Sequence, residues 1–317
     1  MKALILAGGY ATRLWPLTKD KAKPLLMING KPMVTHIVDK IPKNVEIFVA
    51  TNMKFKKSFE AWKKTMKRPI KMIYEETSEE SKKLGALGGI VNAINEVDIK
   101  EDLLVVGGDN YFQFSIHEFL DNYEGLPLIA AYDLKNLEDA KKFGVLSVKG
   151  KRVVKFREKP EHPDSTLVNT MCMLIPSNVF PTLHEFVKIH QDNPGSFVEY
   201  LIKKGEVQAY ITAKEWFDIG SFEGYLTAHK KVSKDREGEF DFYGADFVGK
   251  NVLEGKVFID KGTLVKNSRL KDCIIFGDCH IVNCTLTNCI IDEGSRLENC
   301  TIKEEIVETK TERREKK

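Results

Sequence analysis

The chain has 317 residues, 42% of them hydrophobic and 30% charged, and a formal net charge of +3. That composition is globular and leaves room for one large domain plus a smaller one, while the even charge balance argues against nucleic acid or an anionic membrane as partner. No apolar run approaches membrane-spanning length, and the first residues begin a core strand at once, which leaves no room for a signal peptide and makes the cytoplasm the expected location.

The opening strand, Lys2-Ala3-Leu4-Ile5-Leu6-Ala7, runs into Gly8-Gly9 and then Arg13, and Lys23 follows ten residues later. Glycines let backbone N–H groups approach a polyphosphate, and two cations neutralise its charge. Further buried strands are predicted at Val45–Ala50, Leu103–Val106 and Leu126–Tyr132. Amphipathic helices lie between them. Their stripes are Val34, Ile37, Val38 and Ile41, then Phe55, Phe59, Trp62 and Met66, then Ile90, Val91, Ile94 and Val97, then Ile116, Phe119, Leu120 and Tyr123. Strand–helix alternation of this length implies an α/β fold, a Rossmann-like mixed and mostly parallel sheet with helices on both faces. Ligands of such sheets bind beyond the carboxyl ends of strands. Phe143–Phe156 reads as a β-hairpin around Lys149-Gly150-Lys151. A helix is expected near Phe222–Lys231 and a polar linker over Ser233–Gly244.

From about residue 245 to 303 an aliphatic residue recurs every five or six positions: Leu264, Leu270, Ile275, Ile281, Leu286, Ile291, Leu297 and Ile302. Two positions before each, from Leu270 onward, stands Ser268, Cys273, Cys279, Cys284, Cys289, Ser295 or Cys300. The rhythm resembles the hexapeptide repeat of a left-handed parallel β-helix. Cysteine then serves as a small buried residue, not as a metal ligand, because paired short spacings are missing. Asn or Asp before several of the cysteines suits turn geometry. Residues 304–317 are a mixed-charge run and are expected to be a solvated, frayed tail.

The opening loop is neither a Walker P-loop nor a dinucleotide fingerprint. Leu6-Ala7-Gly8-Gly9-Tyr10-Ala11-Thr12-Arg13-Leu14-Trp15-Pro16-Leu17-Thr18, followed by Ala22-Lys23-Pro24-Leu25-Leu26, resembles the signature of the sugar-1-phosphate nucleotidylyltransferases. In that family Ala11 is usually glycine and Ala22 proline. The resemblance covers roughly residues 1–232 and implies a catalytic domain there. It implies that Leu6, Ala7, Gly8, Gly9, Thr12, Arg13, Lys23, Gly85 and Asp109 hold the nucleotide. Phe156-Arg157-Glu158-Lys159-Pro160 resembles the family's EKP motif, so Glu158 and Lys159, with Gly144 and Asn169, are expected to hold the sugar phosphate. The family's Ala-Gly after that asparagine is Thr170-Met171 here. Asp109, in Gly107-Gly108-Asp109-Asn110, and Asp218, in Trp216-Phe217-Asp218-Ile219-Gly220, match the two carboxylates expected to hold Mg²⁺. Arg13, Lys23 and Lys159 are the expected catalytic cations.

The implied reaction joins a nucleoside triphosphate to a sugar-1-phosphate with loss of pyrophosphate. Glucose-1-phosphate with dTTP or UTP is the leading pair, and mannose-1-phosphate with GTP the alternative. Tyr74-Glu75-Glu76-Thr77 stands where many thymidylyltransferases carry a glutamine-containing segment. A non-catalytic regulatory subunit of the same fold is the competing reading, but such subunits lose the cations or carboxylates that are all present here. Acyl transfer by the β-helix is disfavoured, since no histidine-bearing loop for it is evident. Self-association through the β-helix is the expected quaternary arrangement.

Overall fold

A computed structural model describes residues 1–76, 84–189, 194–232 and 240–315. The chain divides into two compact units, Met1–Gly9 with Met33–Phe217, and Tyr10–Pro32 with Asp218–Lys317.

The first unit is built on a nine-stranded sheet. Its order is Ile70–Glu75, Glu46–Asn52, Lys2–Leu6, Leu103–Gly107, Leu167–Ile175, Leu128–Asp133, Gln208–Thr212, Arg152–Glu158, Gly144–Lys149. The first four strands are parallel. Leu167–Ile175 runs against both of its neighbours, and the predicted hairpin closes the far edge. Successive side chains alternate between faces. Leu4, Phe48 and Val105 pack with Leu87, Ile90 and Ile94 of helix Gly85–Glu96 and with Leu183 and Phe186 of helix Phe180–Val187. Ala3, Ile5, Ile47, Val49 and Val106 take the other face and are equally buried, so both faces are covered. The other predicted stripes form helices Met33–Lys40, Lys56–Thr65 and Ile116–Asp121. The parallel strands end together: Leu6 is level with Ala50 and Gly107, and Asn52 with Glu75.

In the second unit, short strands stack in parallel into three sheets, with partners such as Val265, Ile281 and Leu297 sixteen residues apart. Inward positions carry the predicted aliphatics from Leu270 onward, packed in one core, but Val265 and not Leu264 takes the inward place of its strand, level with Ile281. Asn267, Asp272, Asp278, Asn283, Asn288 and Asn299 take left-handed backbone at the corners, with φ between 48 and 58°. Asn and Asp tolerate that conformation, which explains their place before Ser268 and the cysteines. The thiols do more than fill space: Cys279, Cys284, Cys289 and Cys300 each donate to a carbonyl two residues back and to one thirteen residues on. Burial raises the Cys279 and Cys284 pKa values to about 11, so these thiols are not nucleophiles at neutral pH.

The stretch expected to fray does not. Ile306–Val307 pairs with Ile290–Ile291, and Glu312–Arg314 with Arg296–Glu298. One inward side chain per strand suffices, and Val307 supplies it at 1% exposure. Arg313 takes the column position below Leu297 and forms an ion pair with Glu305 at 2.7 Å. The predicted linker lies outside the described residues over 233–239; Phe240–Phe242 already forms a strand of the stack.

Grouping by packing cuts the chain elsewhere than at residue 232. Tyr10–Pro32 and Asp218–Val232 group with the coil. One coil face carries outward apolar side chains, and Ile274 and Ile290 are no more than 1% exposed. Helix Phe222–Val232 lies over that face, with the His229 ring 5.3 Å from that of Phe258. The Met27 carbonyl accepts hydrogen bonds from Tyr225 Oη at 2.6 Å and His229 Nε2 at 2.7 Å.

Ala11 has left-handed backbone, φ 50° and ψ 42°. Its carbonyl accepts a hydrogen bond from Thr18 Oγ1 at 2.8 Å. The family's glycine at this place is therefore a conformational requirement, which the alanine meets at a cost of about 1 kcal/mol. Ala11→Gly is expected to raise stability by about that amount, measured as an upward shift of the urea midpoint; a lower midpoint would show that the methyl packs favourably.

Candidate active site

In the first unit the expected nucleotide residues gather along the carboxyl edge of the parallel strands. Thr51 Oγ1 donates to the Ala7 carbonyl at 3.1 Å, and Asn52 Nδ2 to the Gly8 carbonyl at 3.0 Å. Asn52 is fully buried, and it fixes the path of the glycine pair. Glu75, from the end of the neighbouring strand, lies beside Gly8. A Cβ on either Gly8 or Gly89 would come 3.3 Å from Glu75 Oε1. The carboxyl is 8% exposed, and burial raises its pKa, opposed in part by the Leu84 N–H. Gly85, with φ 72°, opens helix Gly85–Glu96 beside it. Gly89 also comes within 3.8 Å of Leu6 through such a Cβ, so the glycines of this helix serve helix–sheet packing as well.

Asp109 sits in the turn between strands Leu103–Gly107 and Asn110–Phe112. Its Oδ1 accepts from Asn110 Nδ2 at 2.9 Å, and Asn110 Oδ1 in turn accepts from Trp216 Nε1 at 2.9 Å. Asn110 is 4% exposed. This buried relay aims the Asp109 carboxylate, and sequence reasoning missed it. The signal was the tryptophan of Trp216-Phe217-Asp218, whose indole needs a partner when buried.

The sugar-phosphate candidates share the other half of the sheet. Glu158 is directly opposite Gly144 in the hairpin register, and the Lys159 N–H donates to the Phe143 carbonyl at 3.0 Å. A Cβ on Gly144 would come 2.4 Å from Phe156 Cζ and 3.0 Å from Glu158 Oε2, so only glycine fits. Loss of solvent holds the Glu158 carboxyl above the usual range; Lys159, 3.8 Å away, pulls it down, and Glu199 adds to the rise. Asn169, 7% exposed, accepts the Met171 N–H at 2.9 Å. Met171 is left-handed, φ 55°, at a break in the strand register. The family's glycine at that place is again a backbone requirement, which a larger residue meets here.

The second unit holds Thr12, Arg13, Lys23 and Asp218. Lys23 is 6% exposed, and its Nζ is 3.7 Å from Asp218 Oδ1. Arg13 and Asp218 converge on Gly220: a Cβ there would lie 2.8 Å from Asp218 Oδ2 and 3.2 Å from Arg13 Nη2. Thr12 and Arg13 form a single 3-10 turn with Leu14, and Lys23 starts another with Pro24 and Leu25. The two cations thus flank one carboxylate. Such an arrangement can hold anionic oxygens.

The nucleotidyl transferase family model matches residues 2–235. The chain belongs to that family. Among its relatives, the bifunctional protein GlmU of Methanococcus maripaludis is 29% identical over 276 residues, which is 84% of this chain and 62% of that protein. A glucose-1-phosphate thymidylyltransferase of Streptomyces antibioticus is 27% identical over 289 residues, 87% of this chain and 78% of that one. The chain thus spans about three-fifths of the length of the Methanococcus relative. The crystal structure of a Bacillus anthracis protein, provisionally named a glucose-1-phosphate thymidylyltransferase and solved with sucrose, superposes with a TM-score of 0.66 at 21% identity. It covers 75% of this chain and 97% of its own, a likeness of fold. No helix among the described residues is long and apolar enough to cross a membrane.

Proposed function

We propose that the chain transfers a nucleoside monophosphate from a nucleoside triphosphate to a sugar-1-phosphate, releasing pyrophosphate. The observation that carries this reading is the Arg13–Asp218–Lys23 group, with a nearly buried lysine held on a carboxylate. The competing regulatory reading has no use for two cations gathered on one carboxylate, one of them nearly buried. A non-bridging oxygen of the sugar phosphate attacks the α-phosphorus, the bond from that phosphorus to the β-phosphate oxygen breaks, and pyrophosphate leaves with the electron pair. The nucleophile is already anionic, so no general base is needed. Binding must instead overcome the repulsion of two polyanions, which is a task of positioning and charge.

In this reading Arg13 and Lys23 neutralise the triphosphate and the departing pyrophosphate. Lys159 holds the sugar phosphate and Glu158 the sugar hydroxyls, with Asn169 and the backbone at Gly144. Leu6, Ala7, Gly8, Gly9, Thr12 and Gly85 bring main chain to the nucleotide. Mg²⁺ is the proposed cofactor, with Asp109 and Asp218 as its protein ligands. Mg²⁺ needs only one or two carboxylates beside phosphate and water, so two aspartates would suffice to hold it. When bound, such a cation supplies charge stabilisation to the reacting phosphates.

Glucose-1-phosphate with dTTP or UTP remains the leading pair. Glu75 favours the second reading, transfer from GTP to mannose-1-phosphate. A carboxylate offers two acceptors, which match the adjacent N1–H and N2–H donors of guanine; thymine and uracil present one donor between two carbonyls. The test is a matrix of triphosphates against sugar-1-phosphates scored by pyrophosphate release. Under the second reading, Glu75→Gln is expected to move the preference from GTP toward UTP or dTTP by about 100-fold, because a mismatched buried polar group is left unpaired. An unchanged base preference would remove Glu75 from base reading.

A further inference from the structure

Among the described residues of the coil, Asp292 is the only charged side chain that is buried, at 5% exposure. A buried carboxylate needs a partner. Asp292 Oδ1 accepts the Glu293 N–H at 2.9 Å and faces Lys21 Nζ at 3.5 Å. The same corner of the adjacent rungs carries Phe276 and Glu308, since Ile275, Ile291 and Val307 stack in register. Lys21 Nζ lies 5.2 Å from the Phe276 ring centre, and Lys19 Nζ lies 3.7 Å from Glu308 Oε1. Three successive rungs of one corner therefore hold Lys19 and Lys21, on the run that leads to Lys23.

No slack separates that anchor from the cation. Ala22 is fully buried, the Leu25 N–H donates to the Ala22 carbonyl at 2.9 Å, and the Leu26 N–H donates to the Lys23 carbonyl at 3.0 Å. Two residues of chain span at most about 7 Å, so a shift of Lys21 is passed to Lys23.

We infer that Asp292 is a positioning residue: through Lys21 the β-helix sets where Lys23 presents its ammonium to Asp218 and to a bound triphosphate. The triphosphate half rests on the proposed reaction; the anchoring half does not. The side-chain role is separable from the corner's own integrity. The Asp292 main-chain carbonyl accepts from Cys279 Sγ and Ser295 Oγ, and these bonds survive a side-chain change.

Asp292→Asn keeps an acceptor for the Glu293 N–H and removes only the charge. Hydrogen exchange at the Leu25 and Leu26 amides is expected to quicken about tenfold in this variant and in Lys21→Met, as local opening becomes easier. Glu308→Gln, on the exposed pair, should leave exchange unchanged. In pyrophosphate release, Asp292→Asn and Lys21→Met should raise KM for the triphosphate about tenfold, the loss of one well-placed charged contact. KM for the sugar phosphate should stay within about twofold, and Lys21→Arg should restore wild-type values. Unchanged exchange in Asp292→Asn overturns the anchor. Faster exchange with an unchanged triphosphate KM overturns the positioning role. Exchange is read whether or not the chain turns over, so failure of the proposed reaction shows separately, as an inactive wild type.

Discussion

Lys23→Ala is expected to lower kcat/KM for pyrophosphate release by about 10²- to 10³-fold, the range for removing one preorganised donor from a developing anion. Two polyanions have to meet, and Lys23 is a cation already stripped of most of its water, 6% exposed, with Asp218 Oδ1 3.7 Å away. A solvated lysine would lose hydration as the phosphates arrive; this one has lost it on folding. The fold should survive, because Asp218 retains 28% side-chain exposure and can recover hydration. Steady-state kinetics beside a thermal melt decides the matter. Turnover within about threefold of wild type would remove Lys23 from the reaction.

The second large effect is expected at a residue with no functional group. Gly220→Ala places a methyl 2.8 Å from Asp218 Oδ2 and 3.2 Å from Arg13 Nη2. Both are side-chain ends that can swing aside, so the melting temperature should change little. Swinging aside is the damage: the carboxylate leaves its place beside Lys23. A displacement of about 1 Å at reacting groups is enough for a loss of about 100-fold in turnover. The variant should show that loss in kcat, with KM for the sugar phosphate near its wild-type value. A fully active Gly220→Ala would mean that the Asp218 position carries no chemistry.

Much of this was readable in the chain because it is written in side-chain identity along short stretches. The signature around Arg13 and Lys23, the Glu158-Lys159 pair and the coil rhythm each occupy neighbouring residues, and period alone places the helices and strands. What escaped notice depends on distant residues meeting. Asn52 and Glu75 gain their meaning only because parallel strands end level with Leu6. The Trp216–Asn110–Asp109 relay joins positions about a hundred residues apart. Ala11 and Met171 were visible as departures from a family pattern, but their left-handed φ values, 50° and 55°, show that the pattern encodes backbone conformation there.

The coil was misjudged at its margins for a related reason. The repeat rhythm reports inward positions, so the buried outward residues Ile274 and Ile290 gave no hint that Tyr10–Pro32 and Phe222–Val232 would join this unit. The charged composition of the last stretch hid a rung in which Val307 fills the core and Arg313 pairs with Glu305.

The central claim is that a sugar phosphate oxygen displaces pyrophosphate from a nucleotide. The direct test is to supply sugar-1-phosphate labelled with ¹⁸O in its non-bridging oxygens, together with a triphosphate and Mg²⁺, and to weigh the products. A sugar nucleotide that keeps every label is expected, with an equimolar yield of unlabelled pyrophosphate. Label appearing in the pyrophosphate, or no sugar nucleotide with any triphosphate, would contradict it.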